Sequence, residues 1–244
     1  MIELCMPAGG FWGVAICGVL QRLREKGFVP DVISGVSSGA HAPYLIYGNS
    51  DRETVLTWFE FARSFIRSNR WRSLIPTLKS HDDELYPLIK PFLKENSVFR
   101  DQGIKKFFVG YTAVPSFNFV IEDIISHDDI DRAGETILKS SSIPFMTGPG
   151  LHFRGGIDGI FRKPAFIAPL EKTPTRILLT YNSRYGDLTA RCAGPWDKIL
   201  RVDPGLPIPL MASTKQISHS YDLGYRQGDQ LSEQIDTLKA ALQE

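Results

Sequence analysis

The sequence predicts an α/β protein of three layers (α/β/α), with helices on both faces of a mainly parallel central sheet. Short apolar segments that suit buried strands alternate with segments of helical hydrophobic spacing, in the order of a βαβα unit. The length of 244 residues and the hydrophobic fraction of 43% are those of an ordinary globular chain. We therefore expect one domain over residues 1–244.

The βαβα unit is predicted from the first 47 residues. A short apolar strand over 2–6 leads into a glycine-rich turn over 7–13. Apolar residues then recur at helical spacing between Ile16 and Leu23, and Lys26-Gly27 is a typical helix end. The next strand and helix are predicted over 29–34 and 38–47.

The rest of the chain predicts further strands and helices around a helical insertion at about 51–100. Residues 51–94 are expected to be mostly helical, and the stretch over 147–159 is rich in glycine and proline. The later strands are predicted over 107–114, 117–123, 177–182 and 198–202, with a short helix near 129–140. Leu231, Ile235, Leu238 and Leu242 keep helical spacing, which predicts a closing amphipathic helix.

Charge and cysteine content exclude several classes of protein. The 28 basic and 27 acidic residues leave a formal net charge of +1, so no global field favours nucleic acid, and we expect no such partner. Cys5, Cys17 and Cys192 cannot pair completely and are too scattered for a metal site, which favours a reducing compartment. Glu3 stands where a signal peptide requires positive charge, and no apolar run reaches the ~18 residues of a membrane span. These features predict a cytoplasmic protein and leave peripheral membrane contact open.

A candidate nucleophile lies between the second strand and the second helix. Residues 35–39 fit G-x-S-x-G, with Ser37 at the centre and Gly35 and Gly39 on either side. A serine that attacks a carbonyl must project from a sharp turn, and flanking glycines let neighbouring chains approach without a clashing Cβ. The N-terminal amides of the following helix favour the negative charge that develops there.

The glycine-rich turn after the first strand is a candidate oxyanion hole. Its loop is expected beside Ser37 at the same sheet edge, where the backbone N–H groups of Gly9, Gly10 and Phe11 can donate to a tetrahedral intermediate. A P-loop is excluded because no Lys-Ser/Thr follows the glycines. A turn without a function stays open as the alternative.

The base that would activate Ser37 has two candidates. In an α/β-hydrolase, a histidine late in the chain such as His219 would serve, but only 36 residues precede Ser37, too few for the strands that fold places before its nucleophile. Asp158 lies between glycines in Gly-Gly-Ile-Asp-Gly, as a carboxylate on a tight loop over an active site would require. The same dipeptide is also a common plain turn, so the residues alone leave both possibilities open.

Three blocks of the sequence resemble the patatin-like phospholipases. Residues 9–48 are similar in the glycine-rich loop, in a Pro-Asp before the second strand, and in G-x-S-x-G followed by Ala. Residues 140–144 resemble the S-x-x-x-P segment of that family, and residues 157–160 resemble its Asp-Gly motif. In order, the blocks span residues 8–160, which makes the combination more specific than any single motif.

The resemblance implies a lipid acyl hydrolase, either a phospholipase A or a non-specific lipid esterase, acting on a lipid ester substrate. Ser37 would be the nucleophile, Asp158 the base, and the amides from Gly9 to Phe11 the oxyanion hole. The motif glycines are Gly13, Gly35, Gly39 and Gly159. No catalytic histidine, metal or cofactor is implied, and we expect calcium-independent activity. Hydrolysis and acyl transfer to an alcohol would use the same residues.

The sequence departs from the family pattern at three positions. Ala8 stands where the first glycine is usual, Trp12 where Arg or Lys is usual, and Ile160 where a small residue is usual. The loss of the loop cation removes positive charge beside the oxyanion hole. A catalytically silent lipid-binding protein of the same fold therefore stays an alternative.

Residues 58–75 interleave aromatic side chains with arginines. Such a helix suits a membrane interface, where rings lie at headgroup level and cations meet anionic lipid. The alternative is an insertion whose aromatics pack on the sheet or line a channel for the acyl chain. His41, one turn after Ser37, is expected to be a helix residue near the site and not a catalyst.

Overall fold

The structure of the protein is a computed structural model that describes residues 1–69, 77–80, 86–87, 89–126, 128–144, 146–147, 150–207 and 210–242. The strands are β1 (Ile2–Met6), β2 (Val32–Val36), β3 (Thr77–Ser80), β4 (Lys106–Ala113), β5 (Phe119–Asp123), β6 (Gly150–His152), β7 (Gly156–Asp158), β8 (Thr175–Tyr181) and β9 (Lys198–Val202). The helices are α1 (Gly13–Glu25), α2 (Ser38–Tyr47), α3 (Arg52–Asn69), α4 (Asn96–Asp101), α5 (Ile130–Ser141), α6 (Arg184–Ala193) and α7 (Thr214–Ala241). Short 3-10 helices lie at Gly10–Trp12, Lys90–Phe92 and Gly159–Phe161.

The central sheet has the strand order β5-β4-β2-β1-β8-β9, with β7 also paired to β4. Strands β1, β2, β4, β8 and β9 run parallel to one another, whereas β5 and β7 run antiparallel to β4. β1 lies in the middle of the sheet and is paired in parallel with β2. The turns after these two strands therefore reach the same edge of the sheet. The predicted α/β fold with a mainly parallel sheet is confirmed.

Strand β7 continues the line of β2 along β4. Gly110 of β4 pairs with Val36 at the end of β2, and the next residue, Tyr111, pairs with Asp158 of β7. The other side of β4 is occupied at both positions by β5. The carboxyl ends of β2 and β7 are therefore adjacent, although 121 positions separate Ser37 from Asp158.

Alternate residues of the strands face two cores, as the period of two in a strand requires. Leu4 and Met6 of β1 belong to the larger core, which includes apolar residues of α1, α2, α3, α5 and α7. Cys5 faces the opposite side of the sheet and packs with Ala165 and Leu178, beside residues of α6. The two faces give the three layers that the sequence predicts.

Several element boundaries differ from the prediction. β2 begins at Val32 and not at residue 29, since Pro30 has no N–H to donate to a ladder, and it runs on to Val36 because its pairing with β4 extends to Gly110. The expected helical stretch over 51–94 contains α3 but also β3, which pairs with β6. Residues 70–76, 81–85 and 88 of that stretch lie outside the described residues.

The sequence prediction missed β6, β7 and helix α6. β6 and β7 are three residues long and lie in the glycine- and proline-rich stretch, so they are too short to show a periodicity. Tertiary pairing with β3 and β4 makes them strands.

Helices α1 and α7 are in close contact at two glycines, and a substitution at this contact should destabilise the protein. A Cβ on Gly224 would lie 2.1 Å from the carbonyl oxygen of Ala15, and one on Gly18 would lie 2.1 Å from that of Tyr221. Gly→Ala in a helix ordinarily stabilises by ~1 kcal/mol. We expect Gly224→Ala to lower the free energy of unfolding by ~1–3 kcal/mol in urea titrations, since the helices must separate. Glu233→Ala, at an exposed position of α7, is the control; an unchanged or higher stability of Gly224→Ala would contradict the close packing.

Candidate active site

Ser37 occupies a sharp turn between β2 and α2. Its backbone has φ 55° and ψ −128°, a conformation that side-chain-bearing residues rarely adopt and that is strained. A Cβ on Gly35 would lie 2.3 Å from the carbonyl oxygen of Gly39, and one on Gly39 would lie 2.4 Å from that of Met6. Both flanking glycines are therefore required by close backbone contacts.

A buried hydroxyl holds this turn in position. The Ser37 N–H donates to the Ser140 Oγ at 2.8 Å, and the Ser140 hydroxyl donates to the carbonyl oxygen of Gly110 at 2.7 Å. Ser140 lies on α5 and is fully buried. In the sequence, Ser140 is recognisable only as the first residue of the S-x-x-x-P segment, and this motif was the one signal of a role for it.

The Asp158 side chain lies against Ser37. Its Oδ1 accepts a hydrogen bond from the Ile160 N–H at 2.8 Å, and the side chain of Ser37 lies close enough to lower the pKa of the carboxylate. The Asp158 N–H donates to the carbonyl oxygen of Ser142 at 2.8 Å, so the segment that holds Ser37 also holds Asp158.

Burial determines the protonation of Asp158. The residue is 1% exposed, and the loss of water raises its pKa to about 7, while the hydrogen bonds from Ile160 and Ser37 act in the opposite direction. A carboxyl group with this pKa exchanges a proton readily near neutral pH, as a general base requires.

The glycine-rich turn after β1 presents free backbone donors beside Ser37. The Ala8 N–H donates a hydrogen bond to the carbonyl oxygen of Pro164 at 2.8 Å. The N–H groups of Gly9, Gly10 and Phe11 have no hydrogen-bond partner within the described part of the chain. Gly10 has φ 54°, and a Cβ on Gly9 would lie 2.1 Å from the hydroxyl of Tyr181, so glycine is required at both positions.

Two apolar cavities meet at Ser37. The α3 cavity, of about 800 Å³ including the part open to solvent, is lined by Ser37 together with Phe11, Trp58, Phe61, Phe65 and Leu138. The Asp158 cavity, of about 850 Å³ by the same measure, is lined by Ser37, Asp158, Gly9, Gly10, Trp12 and Tyr185. Gly10, Ser37, Ile143 and Leu210 line both cavities.

His41, His152 and His219, the histidines in the described part of the chain, do not line the Asp158 cavity. His41 lines the α3 cavity, where its Nε2 lies 2.8 Å from the Ser141 Oγ and its ring packs on Trp58 at 5.0 Å. Burial lowers the pKa of His41 to about 3, so its imidazole is neutral at physiological pH. His219 is exposed on α7 and lines neither cavity.

In the described part of residues 58–75, the aromatic side chains face the protein. Trp58 and Phe59 are buried in the larger core, and Phe61 and Phe65 line the α3 cavity. This arrangement agrees with the alternative in which the aromatic side chains pack inside the protein or line a channel. Contact of the segment with a membrane stays a prediction. Residues 70–75 lie outside the described residues.

Within the described residues, no cluster of three or more His, Cys, Asp or Glu side chains could hold a metal ion. In the same part of the chain, no helix combines the length and apolarity needed to cross a membrane.

The family profile described as patatin-like phospholipase matches residues 4–170, which include the turns after β1 and β2 and the whole of β7. The chain belongs to the patatin-like phospholipase family. No curated protein matches the sequence significantly.

Two solved structures share the fold of this patatin-like chain. VipD from Legionella pneumophila is 13% identical with a TM-score of 0.55, and the match covers 96% of this chain and 66% of that one. ExoU, in its heterodimeric complex with SpcU from the type III secretion system of Pseudomonas aeruginosa, is 17% identical with a TM-score of 0.52. That match covers 96% of this chain and 51% of that one. The chain thus spans about two thirds of the length of VipD and about half of the length of ExoU.

The buried carboxyl group predicts a pH-dependent stability. The pKa of Asp158 is about 7 in the folded chain against an ordinary value of 3.8, so the folded state keeps a proton that the unfolded state releases. Stability from this group is present below about pH 4 and is lost as the pH rises through 7. Asp158→Asn removes this titration. We expect its free energy of unfolding to exceed that of the parent by an amount that grows from pH 4 to pH 8, to on the order of 4 kcal/mol.

The measurement is chemical denaturation at a series of pH values. Asp236→Asn, which changes an exposed carboxylate of α7, is the matched control. A difference between Asp158→Asn and the parent that stays constant from pH 4 to pH 8 would show that burial does not raise this pKa.

Proposed function

We propose that the chain is a serine hydrolase that cleaves lipid acyl esters with Ser37 as nucleophile and Asp158 as base. The observation that carries the proposal is that the strained Ser37 and the buried Asp158 line one cavity, with the Ser37 side chain close enough to the carboxylate to lower its pKa. Free N–H donors lie beside Ser37, which lines two apolar cavities, and Asp158 lines one of them. Apolar walls suit the hydrocarbon parts of a lipid ester.

In the first step, the Ser37 Oγ attacks the ester carbonyl carbon while its proton passes to the Asp158 carboxylate. The carbonyl oxygen becomes an oxyanion, which accepts hydrogen bonds from the N–H groups at Gly9, Gly10 and Phe11. Collapse of the intermediate breaks the ester bond, and the proton held by Asp158 passes to the leaving alcohol. An acyl group then remains on Ser37.

In the second step, water gives a proton to Asp158 and attacks the acyl-enzyme through the same oxyanion hole. Collapse releases the fatty acid and returns the proton to the Ser37 Oγ. An alcohol in place of water would give acyl transfer with the same residues. The scheme uses no metal ion and no cofactor.

Two other functions would require different arrangements of residues. An α/β-hydrolase mechanism would require His219 as base, whereas that side chain is exposed and lines neither cavity. A silent lipid-binding protein would need no base next to Ser37. The strained serine and its carboxylate partner favour the hydrolase. A cytoplasmic location and membrane contact through residues 58–75 remain predictions.

Replacement of the nucleophile tests the proposal. We expect Ser37→Ala to lower ester hydrolysis by on the order of 10³-fold or more and to abolish labelling by a fluorophosphonate probe. His219→Ala is the matched control and should keep both properties. Loss of hydrolysis in His219→Ala would favour the α/β-hydrolase mechanism. Lipid binding by the parent without labelling would favour the silent protein.

The Ser140 hydroxyl should act on the rate through the position of Ser37. We expect Ser140→Ala to slow both hydrolysis and probe labelling by on the order of tenfold or more, because the Ser37 N–H and the Gly110 carbonyl lose their shared partner. Ser220→Ala is the matched control, since Ser220 lies on α7 and its buried hydroxyl donates to the carbonyl oxygen of Pro204. If the two variants lose stability alike and neither changes the labelling rate, Ser140 has only a structural role.

A further inference from the structure

We propose that the Asp158 cavity holds the alcohol half of the ester and that this alcohol is uncharged, as in a diacylglycerol and unlike a phospholipid. The inference rests on the proposed hydrolase and specifies its substrate class. It depends on which cavity contains the base, on the charge of the cavity walls, and on one unpartnered hydroxyl.

The location of the base assigns the two cavities to the two halves of the substrate. Asp158 lines one cavity and is absent from the lining of the α3 cavity. The group that takes the proton of Ser37 must return it to the oxygen of the leaving alcohol. That oxygen must therefore lie on the Asp158 side, and the acyl chain lies in the α3 cavity.

The described residues in the walls of the Asp158 cavity carry no positive charge. Of the described residues that line it, Asp158 alone has an ionisable carboxylate or ammonium-type group, and most of the others are aliphatic or aromatic. A phosphate here would lose its water beside a carboxylate and meet no cation. Arg162 and Lys163 are exposed beyond the cavity, and the Lys163 ammonium lies 5.5 Å from the Phe119 ring.

Trp12 is a fixed part of this neutral wall. Its Nε1–H donates to the carbonyl oxygen of Leu206 at 2.9 Å, and its ring packs on Tyr181 and Tyr185 at 5.2 and 6.2 Å. Ile160 and Phe161 form the rim of the cavity and are 39% and 53% exposed. An apolar rim suits a second hydrocarbon chain that leaves the cavity along it.

The hydroxyl of Tyr185 is a polar group that could bind a neutral ligand. Its oxygen is buried and has no hydrogen-bond partner among the described residues, and its side chain lines the Asp158 cavity. A buried hydroxyl without a hydrogen-bond partner is unfavourable, and a ligand that forms a hydrogen bond with it removes this cost. The free hydroxyl or the second ester carbonyl of a diacylglycerol supplies a neutral partner.

The test compares lipids that share their acyl chains. Mixed detergent micelles would contain an equal mole fraction of dioleoylglycerol, dioleoylphosphatidylcholine or dioleoylphosphatidylglycerol, and oleate release would give kcat/KM. We expect dioleoylglycerol to be preferred over both phospholipids by about tenfold or more, since a buried charge without a partner opposes binding. An equal or higher value for either phospholipid would overturn the inference.

Two variants test the neutral wall directly. Trp12→Arg adds a cation inside the cavity, and Ile160→Arg adds one at the rim, where partial exposure tolerates a longer side chain. We expect each to lower the preference for dioleoylglycerol over dioleoylphosphatidylglycerol by about tenfold. Leu188→Arg adds the same charge at an exposed apolar position of α6 outside the cavity and should leave the preference unchanged. An unchanged preference in a folded Ile160→Arg would contradict the proposal.

Failure of the hydrolase proposal gives a different result. Hydrolysis of p-nitrophenyl butyrate and fluorophosphonate labelling of Ser37 report the nucleophile without a lipid headgroup. If both are present and a phospholipid is preferred, the neutral-alcohol inference is wrong while the hydrolase stands. If both are absent, the hydrolase proposal itself fails.

Discussion

The candidate site depends on two successive pairs along β4. Gly110 pairs with Val36, and Tyr111 pairs with Asp158, so one strand brings the ends of β2 and β7 together. A shift of either neighbour by one residue would turn its side chains to the other face of the sheet. The proximity of Ser37 and Asp158 is thus a consequence of strand register.

The strain at Ser37 is balanced by its surroundings. The glycines on either side allow close backbone approach, and the Ser140 hydroxyl satisfies the Ser37 N–H and the Gly110 carbonyl together. Strained backbones persist only where neighbouring structure over-determines them. Here the constraint comes from α5 and β4 on one side and from the turn after β1 on the other. The serine side chain is therefore held at the junction of the two cavities before any substrate binds.

The Asp158 carboxyl group shows a conflict between stability and chemistry. Burial disfavours its charged form, which weakens the folded state as the pH rises, yet the same burial brings its pKa to the range in which it exchanges protons near neutrality. We connect the raised pKa of Asp158 with the proposed selection for a neutral alcohol, since both follow from its burial beside an apolar cavity.

The sequence alone determined the class of fold, the strands β1 and β9 to the residue, the strained serine turn, and the glycine-rich loop, because these depend on local patterns of apolar residues and glycines. It left the base open between Asp158 and His219, since an Asp-Gly dipeptide is locally the same in a plain turn and in an active site. Three-residue strands such as β7 exist through pairing with β4, so tertiary structure alone decided where Asp158 lies. Tertiary structure also decided the role of Ser140 and the charge of the cavity walls, because both depend on residues that are distant in the chain and meet only when the sheet is assembled.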